Sequence, residues 1–286
     1  MTLADDLGHE IEAFFAASRV ARDLSTEQFT VPGHRPLAAL GRFARGKYEE
    51  TAILLLSFLI SRLRPKVFFD VGAASGDFSR IAAAHIASPP AVHAFEMQPN
   101  RVQRLRETLT DDGLSGNVIV HLTGLSGHHE GEKDIWFVRT HLYEREPAPH
   151  EWREAWWRQL KFAIRRQPRG LTKTRVLVTS IDHFVTQHAV VPDLIKIDVD
   201  GYEGRVLQGG MRTFAAHRPA IMLELHKDEL IRFGETRRDV VSRLFGIGYR
   251  AMFLTDHHVP KSCRVVDVDL DHPLVARQQT DFLLFC

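Results

Sequence analysis

The 286-residue sequence predicts one doubly wound α/β domain with helices added at its front. Three observations predict it. Past Pro65, short β-rich runs alternate with helical patterns, the sign of βαβ units and a mainly parallel sheet. The first of these runs, Val67–Val71, passes straight through a glycine turn into a helical pattern. The composition, 44% hydrophobic and 26% charged, is that of an ordinary globular chain, long enough for one large core or one core with a small appendage.

Residues 1–64 read as an N-terminal helical extension, because Ile11, Phe14 and Phe15, and later Ile53, Leu54, Leu56, Phe58 and Leu59, recur at spacings that build apolar faces. The most apolar run, Ala52 to Ile60, is broken by Ser57 and falls far short of the roughly 20 residues a membrane-spanning helix needs, so it reads as a buried helix. Pro65 closes this region. Residues 65–286 then carry candidate strands at Val67–Val71, Val92–Glu96, Val118–Leu122, Leu194–Val199 and Ala220–Leu225, with helices expected at 77–87, 99–111 and 202–216. A helix near Arg237–Phe245 is followed by Tyr249–Leu254 and Phe282–Cys286 with no helix between them, which predicts an antiparallel hairpin at the end of an otherwise mostly parallel sheet.

An insertion at about 128–175 interrupts the alternation. It holds a strand pattern at Asp134–Arg139, a turn with Pro147 and Pro149, and a basic helical stretch bearing Trp152, Trp156 and Trp157, with eight Lys or Arg against two Glu over 151–175. One reading makes that stretch a lid, its tryptophans stacking on an acceptor ring and Arg158, Lys161, Arg165 or Arg166 meeting an anionic group. The others are a helix packed on the core with a solvated basic face, or a contact with an anionic membrane.

A formal net charge of +1 gives no general attraction to nucleic acid, and no nucleic-acid-binding motif is present. Only two cysteines occur, Cys263 and Cys286, which argues against a disulfide framework and for a reducing cytoplasm. Acids at Asp5 and Asp6 stand where an export signal carries positive charge. The helical front could supply an interface for a homo-oligomer.

The turn after the first strand reads Asp70-Val71-Gly72-Ala73-Ala74-Ser75-Gly76. Glycines at 72 and 76 let the backbone turn sharply and approach a ligand, and Asp70 at the strand end reaches toward the same crevice. Twenty residues beyond Gly76, Glu96 ends the second strand, where an acid can take both hydroxyls of a ribose. Together they predict an adenosine-bearing cofactor. The middle residue of the turn is Ala74 and the spacing differs from Gly-x-Gly-x-x-Gly, which disfavours a nicotinamide cofactor. An acid before the turn suits the cationic amino-acid end of S-adenosylmethionine better than a pyrophosphate.

Three segments resemble the FkbM-type family of S-adenosylmethionine-dependent methyltransferases: Phe69 to Gly76, Ala94-Phe95-Glu96-Met97-Gln98-Pro99-Asn100, and above all Leu194-Ile195-Lys196-Ile197-Asp198-Val199-Asp200-Gly201-Tyr202-Glu203. Leu207-Gln208-Gly209-Gly210 and Pro219 to Glu224 extend the likeness, which covers about 65–226. The resemblance implies a Rossmann-like methyltransferase sheet of seven strands and an enzyme that methylates a hydroxyl on a sugar or other small natural-product acceptor. It implies cofactor contacts from Asp70, Gly72, Ala73, Ser75, Gly76, Glu96 and Met97, and from Leu125 and Ser126 in the segment that borders the adenine. The chain departs from the family at Ala74, where Asn is common, at Met97, where Pro is usual, and at Asp200, where Glu is usual. The alternatives carried are an NAD(P)-dependent oxidoreductase and a non-catalytic protein that kept the fold.

Methylating a hydroxyl calls for an acceptor held in line with the methyl group and a base that removes the proton. Asp198 and Asp200 follow one central strand while Glu224 and His226 end the next, and these four form the expected catalytic cluster. His226 is the expected base on its ordinary pKa of about 6.5. Asp198 or Asp200 could instead cap the helix starting near Tyr202. A Mg²⁺ site on Asp198, Asp200 and Glu203 is the less favoured alternative, and no metal is expected.

Overall fold

The computed structural model describes residues 7–16, 50–86, 91–138, 141–148, 171–255, 263–276 and 281–286. Its strands are β1 (Phe68–Val71), β2 (Val92–Glu96), β3 (Val118–Leu125), β4 (Gly131–Val138), β5 (His141–Tyr143), β6 (Leu171–Thr179), β7 (Leu194–Ile197), β8 (Ala220–Leu225), β9 (Ala251–Leu254), β10 (Val265–Val268) and β11 (Asp281–Phe285). Its helices are α1 (7–16), α2 (Glu50–Leu63), α3 (Asp77–His85), α4 (Pro99–Asp111), α5 (Ile181–His188), α6 (Glu203–Gln208), α7 (Met211–His217), α8 (Lys227–Arg232), α9 (Arg237–Gly246) and α10 (Pro273–Ala276).

β1 is buried along its whole length, as a strand covered on both faces must be. Because successive side chains point to opposite faces, Phe68 joins one buried cluster and Phe69 another. The Phe68 cluster holds Ile11, Phe14 and Phe15 of α1, the apolar run of α2 and the inner face of α3. The Phe69 cluster gathers α5, α6, α7 and α9 beneath the other face. α2 is buried at every position from Thr51 to Ile60, so the apolar run is a core helix. Arg62 on α2 pairs with Glu10 on α1 at 2.7 Å.

The sheet order is β10-β9-β11-β8-β7-β1-β2-β3-β6-β4-β5. From β8 across to β6 all neighbours are parallel. β11 runs antiparallel between β8 and β9, which is the expected late hairpin with its second strand placed inside the sheet. The expected count of seven is corrected to eleven strands among the described residues. The extra strands come from the insertion, whose β4 pairs antiparallel with β5 and β6, and from β10. The helix expected over 202–216 is also corrected: it breaks into α6 and α7 at Gly209-Gly210. A side chain at 209 would put its Cβ 2.0 Å from the Ser126 carbonyl oxygen. The Trp-rich basic stretch lies outside the described residues. Among the described residues no helix is long and apolar enough to cross a membrane.

β1 lies between β7 and β2, so chain order departs in opposite directions on its two sides. Open α/β sheets bind ligands beyond the carboxyl ends of the strands at such a switch point. The loops after β1, β2, β7 and β8 all reach this edge.

Candidate active site

The loops after β1 and β7 touch. Asp198 N–H donates to the Val71 carbonyl at 3.1 Å, and a Cβ on Gly72 would stand 1.9 Å from the Asp198 carbonyl oxygen. Gly72 holds φ +80°, so glycine is required there twice over. Ala74 and Asp200, one in each loop, also sit in the left-handed region at φ 46° and 50°. Non-glycine residues are uncommon there, and such strain gathers at functional sites.

Between these loops and β2, β3 and the β4–β5 hairpin lies a cavity of about 340 Å³. Gly72 and Ala74 line one side, Glu96 and Met97 another, and Leu125 a third. Asp198, Asp200, Glu224 and His226 line the remaining wall, so the expected catalytic cluster and the expected ribose acid share one space. Glu96 is held from both ends: its Oε1 accepts from Gln98 N–H at 2.8 Å and its Oε2 from Ala74 N–H at 3.0 Å. Arg101 adds a charge 3.7 Å away. Each carboxylate oxygen keeps acceptor capacity for a ligand hydroxyl.

Five expected cofactor residues are placed elsewhere. Asp70 is fully buried, turned to accept from Ser79 Oγ at 2.6 Å and facing Lys196 Nζ at 3.7 Å, so it braces the turn rather than lining the cavity. Burial raises its pKa, against the opposing pull of Lys196. Gly76 lets α3 pack on Leu105, since a Cβ there would lie 2.0 Å from that side chain. Ser75 is exposed and donates to Asp77 at 3.1 Å. Ser126 is buried, its N–H donating to the Thr179 carbonyl at 2.7 Å. Ala73 is also buried, with its N–H on the Phe95 carbonyl at 3.0 Å.

The acidic wall is organised around two cations. Lys196, only 2% exposed, sits 2.9 Å from Asp198 Oδ2 and donates to the Gly72 carbonyl at 3.1 Å. Burial opposes the Asp198 charge, but Lys196 and then His226 outweigh it and hold this carboxyl below its usual range. His226 Nδ1–H donates to the buried Glu203 at 2.7 Å. Its Nε2 faces Asp198 at 3.6 Å, Asp200 at 3.8 Å and Glu224 at 4.0 Å. Burial works against a charge on His226, yet the Glu203 hydrogen bond and the surrounding carboxylates push its pKa up to about 10. At neutral pH the imidazole is protonated, so the ordinary pKa that singled it out as the base is corrected. Asp200 moves the other way from Asp198: although its side chain is more than half exposed, partial desolvation of its carboxyl against the cavity wall, with the nearby Asp198 charge, raises its pKa, which makes it the stronger base of the two. Neither Asp caps α6, whose N-cap is Tyr202 with no side-chain capping bond. Asp198, Glu224 and His226 bring three donor atoms within 4.8 Å of one another, a grouping a divalent cation could bridge, whereas Glu203 is spent on His226.

A family model described as the Methyltransferase FkbM domain matches residues 70–251, from the β1 acid to the start of β9. The chain belongs to the FkbM methyltransferase family. No curated protein matches the sequence. Among solved structures, the methyltransferase FkbM from Methylobacillus flagellatus KT is similar at 16% identity and a TM-score of 0.46, over 87% of this chain and 58% of that one. The O-methyltransferase from Bacillus cereus in complex with SAH is similar at 12% identity and a TM-score of 0.43, over 96% of this chain and 98% of that one.

For an FkbM methyltransferase the donor is S-adenosylmethionine, and the residues present fit it. The cavity is of small-ligand size, an acid with spare acceptor capacity stands at the end of β2, and Gly72 brings bare backbone to its edge. Several lining residues were not among the expected contacts: Ala74, Gln98, Arg101, Val199, Phe137 and Leu142. The first four lie inside or beside the family segments, so the motif held the signal. Phe137 and Leu142 come from the insertion, and nothing in the sequence ties that hairpin to this cavity.

Proposed function

We propose that this FkbM methyltransferase moves a methyl group from S-adenosylmethionine to a hydroxyl of a sugar or other small natural-product acceptor, with Asp200 taking the hydroxyl proton. One observation carries the assignment of the base: Asp200 lines both the cofactor cavity and a second, adjoining cavity of about 110 Å³. It is the acidic side chain common to the two. S-adenosylmethionine supplies an electrophilic methyl group on a sulfonium. This chain's residues do the rest. Glu96 offers its remaining lone pairs to ribose hydroxyls, Asp198 is pinned by Lys196 so that it can orient the acceptor hydroxyl, and protonated His226 offsets the negative charge of the wall. The side chain of Asp200 is 56% exposed, within reach of a hydroxyl entering from the second cavity.

The test separates chemistry from binding. Asp200→Asn is expected to lower kcat by about 10²–10⁴-fold, the range of general-base contributions, while calorimetry shows S-adenosylhomocysteine bound as in the parent protein. Unchanged kcat in Asp200→Asn would remove that residue from the base role. Absence of S-adenosylhomocysteine binding in the parent protein would remove the transferase reading itself.

A further inference from the structure

The second cavity shares Leu142, Val199, Asp200 and Tyr202 with the cofactor cavity and adds Glu229, Arg232 and Phe233. It therefore opens where an acceptor would meet the donor. Its walls are fixed. Gly201, at φ +96°, lies flush against α8, where a Cβ would meet Glu229 Cβ at 2.4 Å and its backbone carbonyl carbon at 2.5 Å. The loop carrying Asp200 and the helix carrying Glu229 are thus in direct contact. Arg232 ties the same helix to the hairpin by donating to the Leu142 carbonyl at 3.3 Å, and its guanidinium lies 5.4 Å from the Tyr143 ring and 5.7 Å from that of Phe233. Tyr202 and Phe233 meet edge to face at 4.9 Å. Tyr202 is anchored in turn by donating to Glu144, which follows β5.

Resting on the transferase reading above, we infer that this cavity is the acceptor subsite and that it takes a neutral sugar ring bearing adjacent hydroxyls, with Phe233, Glu229 and Arg232 setting specificity. The lining has both signs, two carboxylates and one guanidinium. An anionic acceptor would be repelled by the two carboxylates, and a cationic one would pair with them but leave Arg232 facing a like charge. A flat apolar ring would strip water from Asp200 and Glu229 and return no hydrogen bond. A ring with neighbouring hydroxyls donates to both carboxylates and accepts from Arg232, while its C–H face lies on the aromatic pair.

The experiment supplies radiolabelled S-adenosylmethionine with three separate panels: methyl glycosides of hexoses and deoxyhexoses, catechols, and long-chain alcohols. Support requires transfer to at least one glycoside, with KM for it raised about tenfold in Phe233→Ala and in Glu229→Gln and kcat changed by less than about threefold. Affinity for S-adenosylhomocysteine, measured on each variant, reports that the fold and cofactor cavity are intact. Arg232→Ala, a change at an exposed residue, gives a third reading should Phe233→Ala not fold. Transfer confined to catechols or alcohols, transfer to no panel member, or an unchanged glycoside KM in the folded variants would overturn the subsite. A parent protein that fails to bind S-adenosylhomocysteine takes down the transferase reading and this subsite together, and calorimetry tells that failure apart from the others.

Discussion

Ala74 shows how one residue can carry both strain and function. Its N–H holds Glu96 in place, yet its φ of 46° is costly for any residue with a Cβ. Asn tolerates that conformation better than Ala. Ala74→Asn is expected to raise stability by about 0.5–1 kcal/mol, measured by denaturant unfolding with and without S-adenosylhomocysteine. A second prediction concerns His93 and His121, whose rings stack at 5.3 Å with Nδ1 and Nε2 3.1 Å apart. Burial first, then repulsion by neighbouring histidines, pulls both pKa values down to about 4. The unfolded chain binds these protons near pH 6.5 and the folded one does not, so stability is fully present above about 6.5 and is lost as pH falls toward 4. Urea midpoints between pH 7 and 5 should show the decline, and the double variant His93→Phe/His121→Phe should flatten it by more than half. Glu96, Asp198 and Asp200 were legible at this scale because strand ends and glycine turns reveal themselves in sequence. The true direction of Asp70 was not, because an acid before a glycine turn reads the same whether it faces a ligand or a buried serine. Nor was the protonated state of His226, which depends on Glu203 arriving from another element.

At the scale of elements, the parallel strands were legible from their apolar runs, while β6 was absorbed into the basic insertion. Its first half carries Lys173 and Arg175, and its pairing with β4 along its length and with β3 at its end shows it to be a strand. The helix break at Gly209-Gly210 was readable in principle, since two adjacent glycines weaken any helix. What sequence could not supply was the reason, the Ser126 carbonyl lying against residue 209. Gly209→Ala is therefore expected to destabilise the protein by about 1–3 kcal/mol through overpacking, in contrast to the small gain this exchange gives in an open helix. Thermal unfolding of the variant beside the parent checks the sign; a gain in stability would mean that the α6–α7 junction yields freely.

For the whole molecule, the cavity lined by Gly72 and Glu96 opens at the edge where two separately packed faces of one sheet meet. A ligand bridging loops from β1, β2, β3 and β7 should stabilise the entire sheet rather than one loop. At a hundredfold excess over its Kd, S-adenosylhomocysteine is expected to add about 2.7 kcal/mol to the unfolding free energy, with NAD(P) adding nothing at the same concentration. Differential scanning calorimetry with each compound decides it. Equal shifts with both would reopen the oxidoreductase reading.

The position of β11 has a consequence for how such a chain comes off the ribosome. β9 and β10 can zip to each other as soon as they emerge, but neither has a bond to β8 in the finished sheet. Among the described residues their ladder of hydrogen bonds joins the rest of the sheet through residues 281–285, which arrive last of the three. Until then the apolar rim of β8 stays bare, so chains truncated between about 270 and 280 and released should be the ones that chaperones hold and proteases cut.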